Sequence, residues 1–384
     1  MSEWEQLTLE ELGTLQRGRS RHRPRYAFHL YNGKYPFIQT GEIRSAKKYI
    51  QVYENTYSDA GLAQSKLWPK NTLCITIAAN IAELAILSFE ACFPDSVLGF
   101  IPNKEKADLD FIYYTLTHFQ RKLKHIGEGS VQDNINLGTF QNIAFPIPKL
   151  PEQKAIATVL ASLDDKIDLL HRQNKTLEAM ADALFRQWFI EDTHDDWTDR
   201  ALSNIARFLN GLACQKYLPE NDLEKLPVLK IKELSGGISE TSDWATNQVK
   251  PDYIVEAGDV IFAWSASLMV KIWDGERCVL NQHLFKVTSD EFPKWYYLLW
   301  CKHHLAEFIS ISSSHATTMG HIKRGDLDAA MVLVPTAGEL EEMSKQMEPL
   351  LNKQIENAKQ IKSLEKLRDT LLPKLMSGEV RVSF

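Results

Sequence analysis

Five arginines, Arg17, Arg19, Arg21, Arg23 and Arg25, alternate along TLQRGRSRHRPRY with Gly, Ser, His and Pro between them. Gly18 and Pro24 disfavour a helix, so the guanidinium groups are expected to hang from an extended or looped backbone. That setting suits bidentate contact with phosphates or guanine edges; the other reading is a solvated basic loop. Cys301, His303, His304 and His315 are close in sequence, yet their spacing fits no zinc pattern. Pro251-Asp252 with Glu256 lacks the following acidic-x-lysine strand of a nuclease. The cysteines, Cys74, Cys92, Cys214, Cys278 and Cys301, contain no C-x-x-C pair, which argues against a disulfide framework and a cysteine zinc site and favours small buried thiols. There is no G-x-x-x-x-G-K-S/T phosphate loop, no glycine-rich nucleotide turn and no Asn/Asp-Pro-Pro-aromatic motif of amino-methyltransferases.

The chain that must position these groups has 384 residues, 44% apolar and 24% charged, enough for two or three domains with a core in each. Disorder and low complexity are excluded. The longest apolar stretch, Leu73 to Phe93, is broken by Asn80, Glu83 and Glu90, and no basic-then-apolar leader follows Met1. The expectation is a cytoplasmic protein with neither membrane span nor secretory signal. A net charge of −6 gives no support to nucleic-acid binding, but the charge is uneven. Residues 1–150 carry 17 basic and 15 acidic groups, whereas 191–335 carry 14 and 21.

An internal repeat of about 187 residues organises the chain. Pro36-Phe37-Ile38 aligns with Pro227-Val228-Leu229, each opening a short β-type run. Residues 69–75 align with 256–262 as a turn leading into a buried strand. Tyr113-Tyr114 aligns with Tyr296-Tyr297, and Pro148 with Pro335. Each copy closes with an apolar strand, Ile143 to Ile147 or Met331 to Val334, feeding a long charged helix. In the first helix Leu160, Leu163, Ile167, Leu170, Asn174, Leu177, Ala181, Leu184 and Trp188 follow heptad a/d spacing. In the second, Leu340, Met343, Met347, Leu350, Gln354, Asn357, Ile361, Leu364, Arg368, Leu371 and Leu375 do the same. A seam of roughly 40 residues, about 60 Å, needs a partner of similar length, and the other helix supplies it. Antiparallel pairing would throw the two globules to opposite ends of a rod about a pseudo-twofold axis. Asn174, Gln354 and Asn357 would fix its register. The expected fold class is α+β, with two pseudo-twofold-related globular α/β domains separated by two long helices in an antiparallel coiled coil. The expected domains are 1–149, a central helix 150–190, 191–336, and a C-terminal helix and tail 337–384.

These residues carry a resemblance. LPEQKAIATVLASLDDKIDLLHRQNKTLEAMADALFRQWF at 150–189, NTLCITIAANIAELAIL at 71–87, GDVIFAWSAS at 258–267, NQHLFKV at 281–287 and LEKLRDTLLPKLMSGEV at 364–380 resemble the specificity subunit of type I restriction-modification systems. The resemblance covers nearly the whole chain and is most specific in the LPEQ-to-WF helix. It implies two target-recognition domains, each reading one half of a split, asymmetric sequence in double-stranded DNA. The helices would space them and dock two methyltransferase subunits, with restriction/translocase subunits attached through these. It also implies no catalysis by this chain and no cofactor of its own; S-adenosylmethionine, Mg and ATP are expected only in partner subunits. From the repeat and the resemblance, the expected DNA readers of the first copy are the arginine run, Gln39, Thr40, Asn80, Ser130, Gln132 and Asn134. Those of the second are Lys216, Tyr217, Lys230, Lys232, Trp264, Ser265, Ser267, His315, Thr317, Thr318, His321, Lys323 and Arg324. Arg, Gln and Asn offer the bidentate pairs that distinguish guanine and adenine, although Asn80 and Trp264 also suit a turn former and a core aromatic. Asn281-Gln282-His283 reads first as the start of a core strand. The alternative function is a coiled-coil assembly adaptor without DNA affinity.

Overall fold

The computed structural model describes residues 4–78, 81–128, 138, 140, 142–314 and 320–382. The fold is α+β and forms two compact units, Met1–Asp165 with Lys366–Phe384, and Lys166–Glu365. The division falls inside both long helices, Leu150–Arg186 and Ala337–Met376.

Each unit builds three corresponding sheets, one of which has a fifth strand, Tyr49–Ile50, in the first unit. In the first, Glu5–Thr8 pairs antiparallel with Ala144–Ile147, the strand that leads into the first long helix. A five-stranded sheet runs Gly13–Arg17, Val97–Pro102, Leu73–Thr76, Leu84–Leu87, Tyr49–Ile50. A smaller sheet runs Asn55–Tyr57, Tyr31–Phe37, Ala91–Cys92, Leu67–Trp68. The second unit repeats this: Thr198–Ala201 pairs with Met331–Val334. One sheet runs Arg207–Asn210, Leu284–Thr288, Val260–Ala263, Met269–Ile272, and the other Trp244–Thr246, Lys225–Leu229, Cys278–Leu280, Ile254–Val255. The aligned turns behave alike: Asn71 and Gly258 both take a left-handed φ, +65° and +104°, a region that Asn and Gly tolerate. The central strands that follow, Leu73–Thr76 and Val260–Ala263, are buried at every residue. Burial of successive residues, whose side chains alternate between faces, reflects a sheet covered on both faces.

The seam pairs antiparallel within each unit, but only part of it is a plain coiled coil. In the second unit Ile167, Leu170 and Ile361 form a small cluster with Leu364. Next to it Asn174 donates to the Gln354 carbonyl at 3.2 Å, and Asn357 donates to Asn174 Oδ1 at 3.0 Å. Further along, Ala181, Phe185 and Phe189 join Met347 and Leu351 in the unit's own core, around Trp295, Tyr296 and Trp300. In the first unit Ile156, Ala157, Leu160 and Leu375 join Phe111, Tyr114 and Phe145. The LPEQ segment owes its residue types to this docking. Gln153, 1% exposed, donates to the carbonyls of Lys106 and Pro148 at 2.9 Å each and accepts from the Asp108 N–H at 2.9 Å. Asp164 binds Arg368 and Tyr114 at 2.9 and 2.6 Å, joining both helices to the globule.

The five cysteines are free and buried, and burial pushes the thiols of Cys74, Cys278 and Cys301 well up. No helix among the described residues is long and apolar enough to cross a membrane.

Candidate nucleic-acid interface

Both units bring loop segments to the same end of a corresponding sheet, the one that holds Leu73–Thr76 in the first unit and Val260–Ala263 in the second, and equivalent backbone bonds hold them. Ile77 donates to the Ser96 carbonyl at 2.9 Å, and Trp264 to the His283 carbonyl at 3.4 Å. Gly18 donates to the Val97 carbonyl at 2.8 Å, and Gly211 to that of Leu284 at 3.1 Å. Positions 77 and 264, 96 and 283, and 97 and 284 are each 187 apart. A Cβ on Gly18 would lie 2.2 Å from the Pro94 carbonyl oxygen, and one on Gly211 2.3 Å from that of Asn281. Only glycine lets these segments approach so closely.

In the first unit this edge is basic. The strand Gly13–Arg17 ends and the chain runs without regular structure to the Phe28–Leu30 turn. All five arginines are exposed. Asp95 organises three of them: Arg17 donates to its carbonyl, Arg25 binds its carboxylate at 2.9 and 3.2 Å, and Arg23 comes within 4.0 Å. Arg23 also donates to the Ser20 and His22 carbonyls, at 2.8 Å each. The guanidinium groups of Arg19 and Arg21 have no partner among the described residues. Lys66 adds to the field: burial, then the charge of Arg19, lowers its pKa.

In the second unit the same edge is aromatic and polar. Trp264 stacks on Phe285 with centroids 5.6 Å apart and donates to Asn210 at 3.2 Å. Its ring faces His283 at 6.0 Å and His321 at 6.3 Å. Buried Ser265 pairs with His321 in an isolated bridge, and its hydroxyl lies 3.2 Å from His283 Nδ1. Ser267, Lys216 and Tyr217 are exposed.

The remaining expected residues are more scattered. Gln39 and Lys230 occupy equivalent N-cap positions, before the short helices Thr40–Ser45 and Ile231–Gly236. Thr40 is half-buried in the first turn. Lys230 is paired with Asp243, and Lys232 donates to Thr241 at 2.7 Å. Lys323 caps the helix Arg324–Ala329. Arg324 lines a polar cleft of about 460 Å³ with Arg207 and Thr288. Those residues pair at the end of their strands away from Asn210 and Phe285, so Arg324 stands apart from the Trp264 group. Asn80, Ser130, Gln132, Asn134, His315, Thr317 and Thr318 lie outside the described residues. His304 bonds the Met331 carbonyl at 2.9 Å, and its ring stacks on Trp300.

Sequence reasoning missed Asp95, and it ranked Gln282 and His283 as strand residues. Asn281 is indeed buried in the ladder, but Leu284 is where the strand begins. His283 is exposed beside Trp264 and Gln282 is half-buried. Asp95 and Gln282 are themselves 187 apart, so the repeat carried the signal.

A protein that presents two differently furnished copies of one loop-bearing sheet end belongs, as a class, with duplicated recognition modules. A family model described as the type I restriction modification DNA specificity domain matches residues 1–179 and again 194–366. The chain belongs to this family of type I restriction-modification specificity subunits, as its resemblance implied. The MjaIX specificity subunit of Methanocaldococcus jannaschii is 27% identical over 383 residues, covering 92% of this chain and 85% of that protein. The HindI specificity subunit of Haemophilus influenzae is 19% identical and covers 99% of this chain and 100% of that one. The solved S subunit from M. genitalium shares the fold, with a TM-score of 0.62 at 17% identity over 97% of this chain and 96% of that one.

Proposed function

We propose that each unit reads one half of a bipartite, asymmetric DNA target through its sheet-end loops. The long helices set the gap between the halves and carry two methyltransferase subunits. Restriction/translocase subunits join through these, and S-adenosylmethionine, Mg and ATP serve the partners. The chain itself performs no catalysis and acts in the cytoplasm. The observation that carries this reading is the repeated edge: one backbone scaffold, held by equivalent hydrogen bonds, bears arginines in one copy and Trp264, Gln282 and His283 in the other. A common frame with different recognition groups is what reading two unlike half-sites requires.

The test is the methylated motif of DNA exposed to the chain assembled with its methyltransferase partner. A two-part motif is expected. Gln282→Ala and His283→Ala should each relax one part only, by about 1–3 kcal/mol for each base that is no longer read. Methylation without sequence preference, or relaxation of both parts by either substitution, overturns the reading.

A further inference from the structure

The arginine segment carries a second feature that charge does not explain. Tyr26 is 79% exposed and Phe28 83% exposed, the largest exposures among the described aromatic side chains. Neither lies on a frayed end, because the backbone around them is tied at successive points. Gln64 accepts from the N–H groups of Arg21 and His22 at 2.6 and 3.0 Å. The Arg25 carbonyl accepts from Tyr31 at 3.1 Å and the His29 carbonyl from Ser58 at 2.7 Å. Leu30, two residues beyond Phe28, is buried at 2%. The fold therefore holds an apolar ring in water on an anchored turn, directly following a run of guanidinium groups.

We propose that Phe28 is a wedge that enters the DNA duplex at the half-site read by the first unit, sliding between stacked base pairs while neighbouring arginines hold phosphates. This rests on the DNA-reading function proposed above and deepens it. Charge selects the partner: Arg19 and Arg21 have no partner among the described residues, and a duplex offers both a polyanionic backbone and stacked rings. Phenylalanine is among the side chains able to open a base step. Its ring has no polar atom to satisfy, whereas Tyr26 carries a hydroxyl suited to the duplex edge.

The test uses the chain assembled with its methyltransferase subunits and duplexes carrying 2-aminopurine at each position of that half-site in turn. Binding should raise the fluorescence at one step distinct from the methylated base. Phe28→Ala should abolish that rise and weaken binding on the order of tenfold, with the salt dependence unchanged because no charge is removed. Phe28→Trp should retain the rise, and Arg19→Ala should keep it while reducing the salt slope. A rise that survives Phe28→Ala overturns the wedge while leaving the DNA-reading function intact. So does a Phe28→Ala variant that binds DNA normally but recovers less methyltransferase subunit, since the ring would then face protein. Failure of the parent complex to discriminate any duplex would instead remove the underlying reading, and the wedge with it.

Discussion

At the scale of single residues, the arginine run divides by partner. Arg17, Arg23 and Arg25 gather on Asp95, and Arg19 and Arg21 do not. Arg19→Ala and Arg21→Ala should each flatten the salt dependence of DNA binding by roughly one unit of slope for every phosphate left without its cation. The weakening should be uniform across sequences, and titrations at several salt concentrations measure it. Asp95→Ala has the opposite sign. It removes a negative charge and releases Arg23 and Arg25 from the carboxylate, while Arg17 keeps the backbone carbonyl, so binding to non-cognate duplex should tighten while discrimination at the first half-site falls. Weaker non-cognate binding by Asp95→Ala would mean that the carboxylate does not restrain these side chains.

At the scale of elements, two polar devices hold the long helices. Asn357 is fully buried, and its Oδ1 has no partner among the described residues, yet its amide donates to Asn174 at 3.0 Å. Asn174→Leu should cost about 1–3 kcal/mol, because it leaves the buried Asn357 amide with only the long bond to Gln173 Oε1 at 3.4 Å. Adding Asn357→Leu should recover that stability while weakening register specificity. Urea unfolding of the single and double variants tests both. The second device is the start of the helix Ala337–Met376. Thr336 and Glu339 form a reciprocal cap, and Glu339 also accepts from Trp197 at 2.9 Å and meets His194 at 2.8 Å. The Thr336 hydroxyl is the main cause that holds the Glu339 carboxyl at about 2, from an ordinary 4.5; the Thr336 N–H, Trp197 and His194 also lower it. A depressed carboxyl stabilises the fold fully above its unfolded pKa and loses that contribution as pH falls towards the folded one. Melting temperature should therefore drop between about pH 4.5 and 2 in a way that Glu339→Gln flattens. Thr336→Ala should cost about 1 kcal/mol at neutral pH.

At the scale of the whole molecule, the two units part between residues 165 and 166 and between 365 and 366. Insertions at both points lengthen the two helices equally and leave the interior of each unit, including the Asn174–Asn357 pair, untouched. Four residues in each helix add close to one turn and about 6 Å, against about 3.4 Å per base pair of B-DNA. The expected methylated motif keeps both specified parts, and its unspecified gap grows by one or two base pairs. An unchanged gap in an active complex would show that these helices do not set the spacing.

Much of this fold was legible because burial imposes a period. The heptad spacing of both helices, the turn-and-strand pairs at Leu73 and Val260, and the repeat of about 187 residues all follow from apolar side chains having to face one side. The arginine loop was legible too, since Gly18 and Pro24 forbid helix locally. Tertiary structure alone decided which groups meet. Asp95 lies 70 residues from Arg25, and nothing local marks it as an arginine clamp. Gln282 and His283 were hidden because a chain entering a buried strand looks the same whether its preceding residues face the core or the open sheet end. The sequence by itself thus determined the repeat, the helices and a basic loop, through local periodicity and backbone restriction. Only the sheet's hydrogen-bond register, which joins segments far apart in the chain, decided which side chains share an edge and which, like Arg324, stand apart from it.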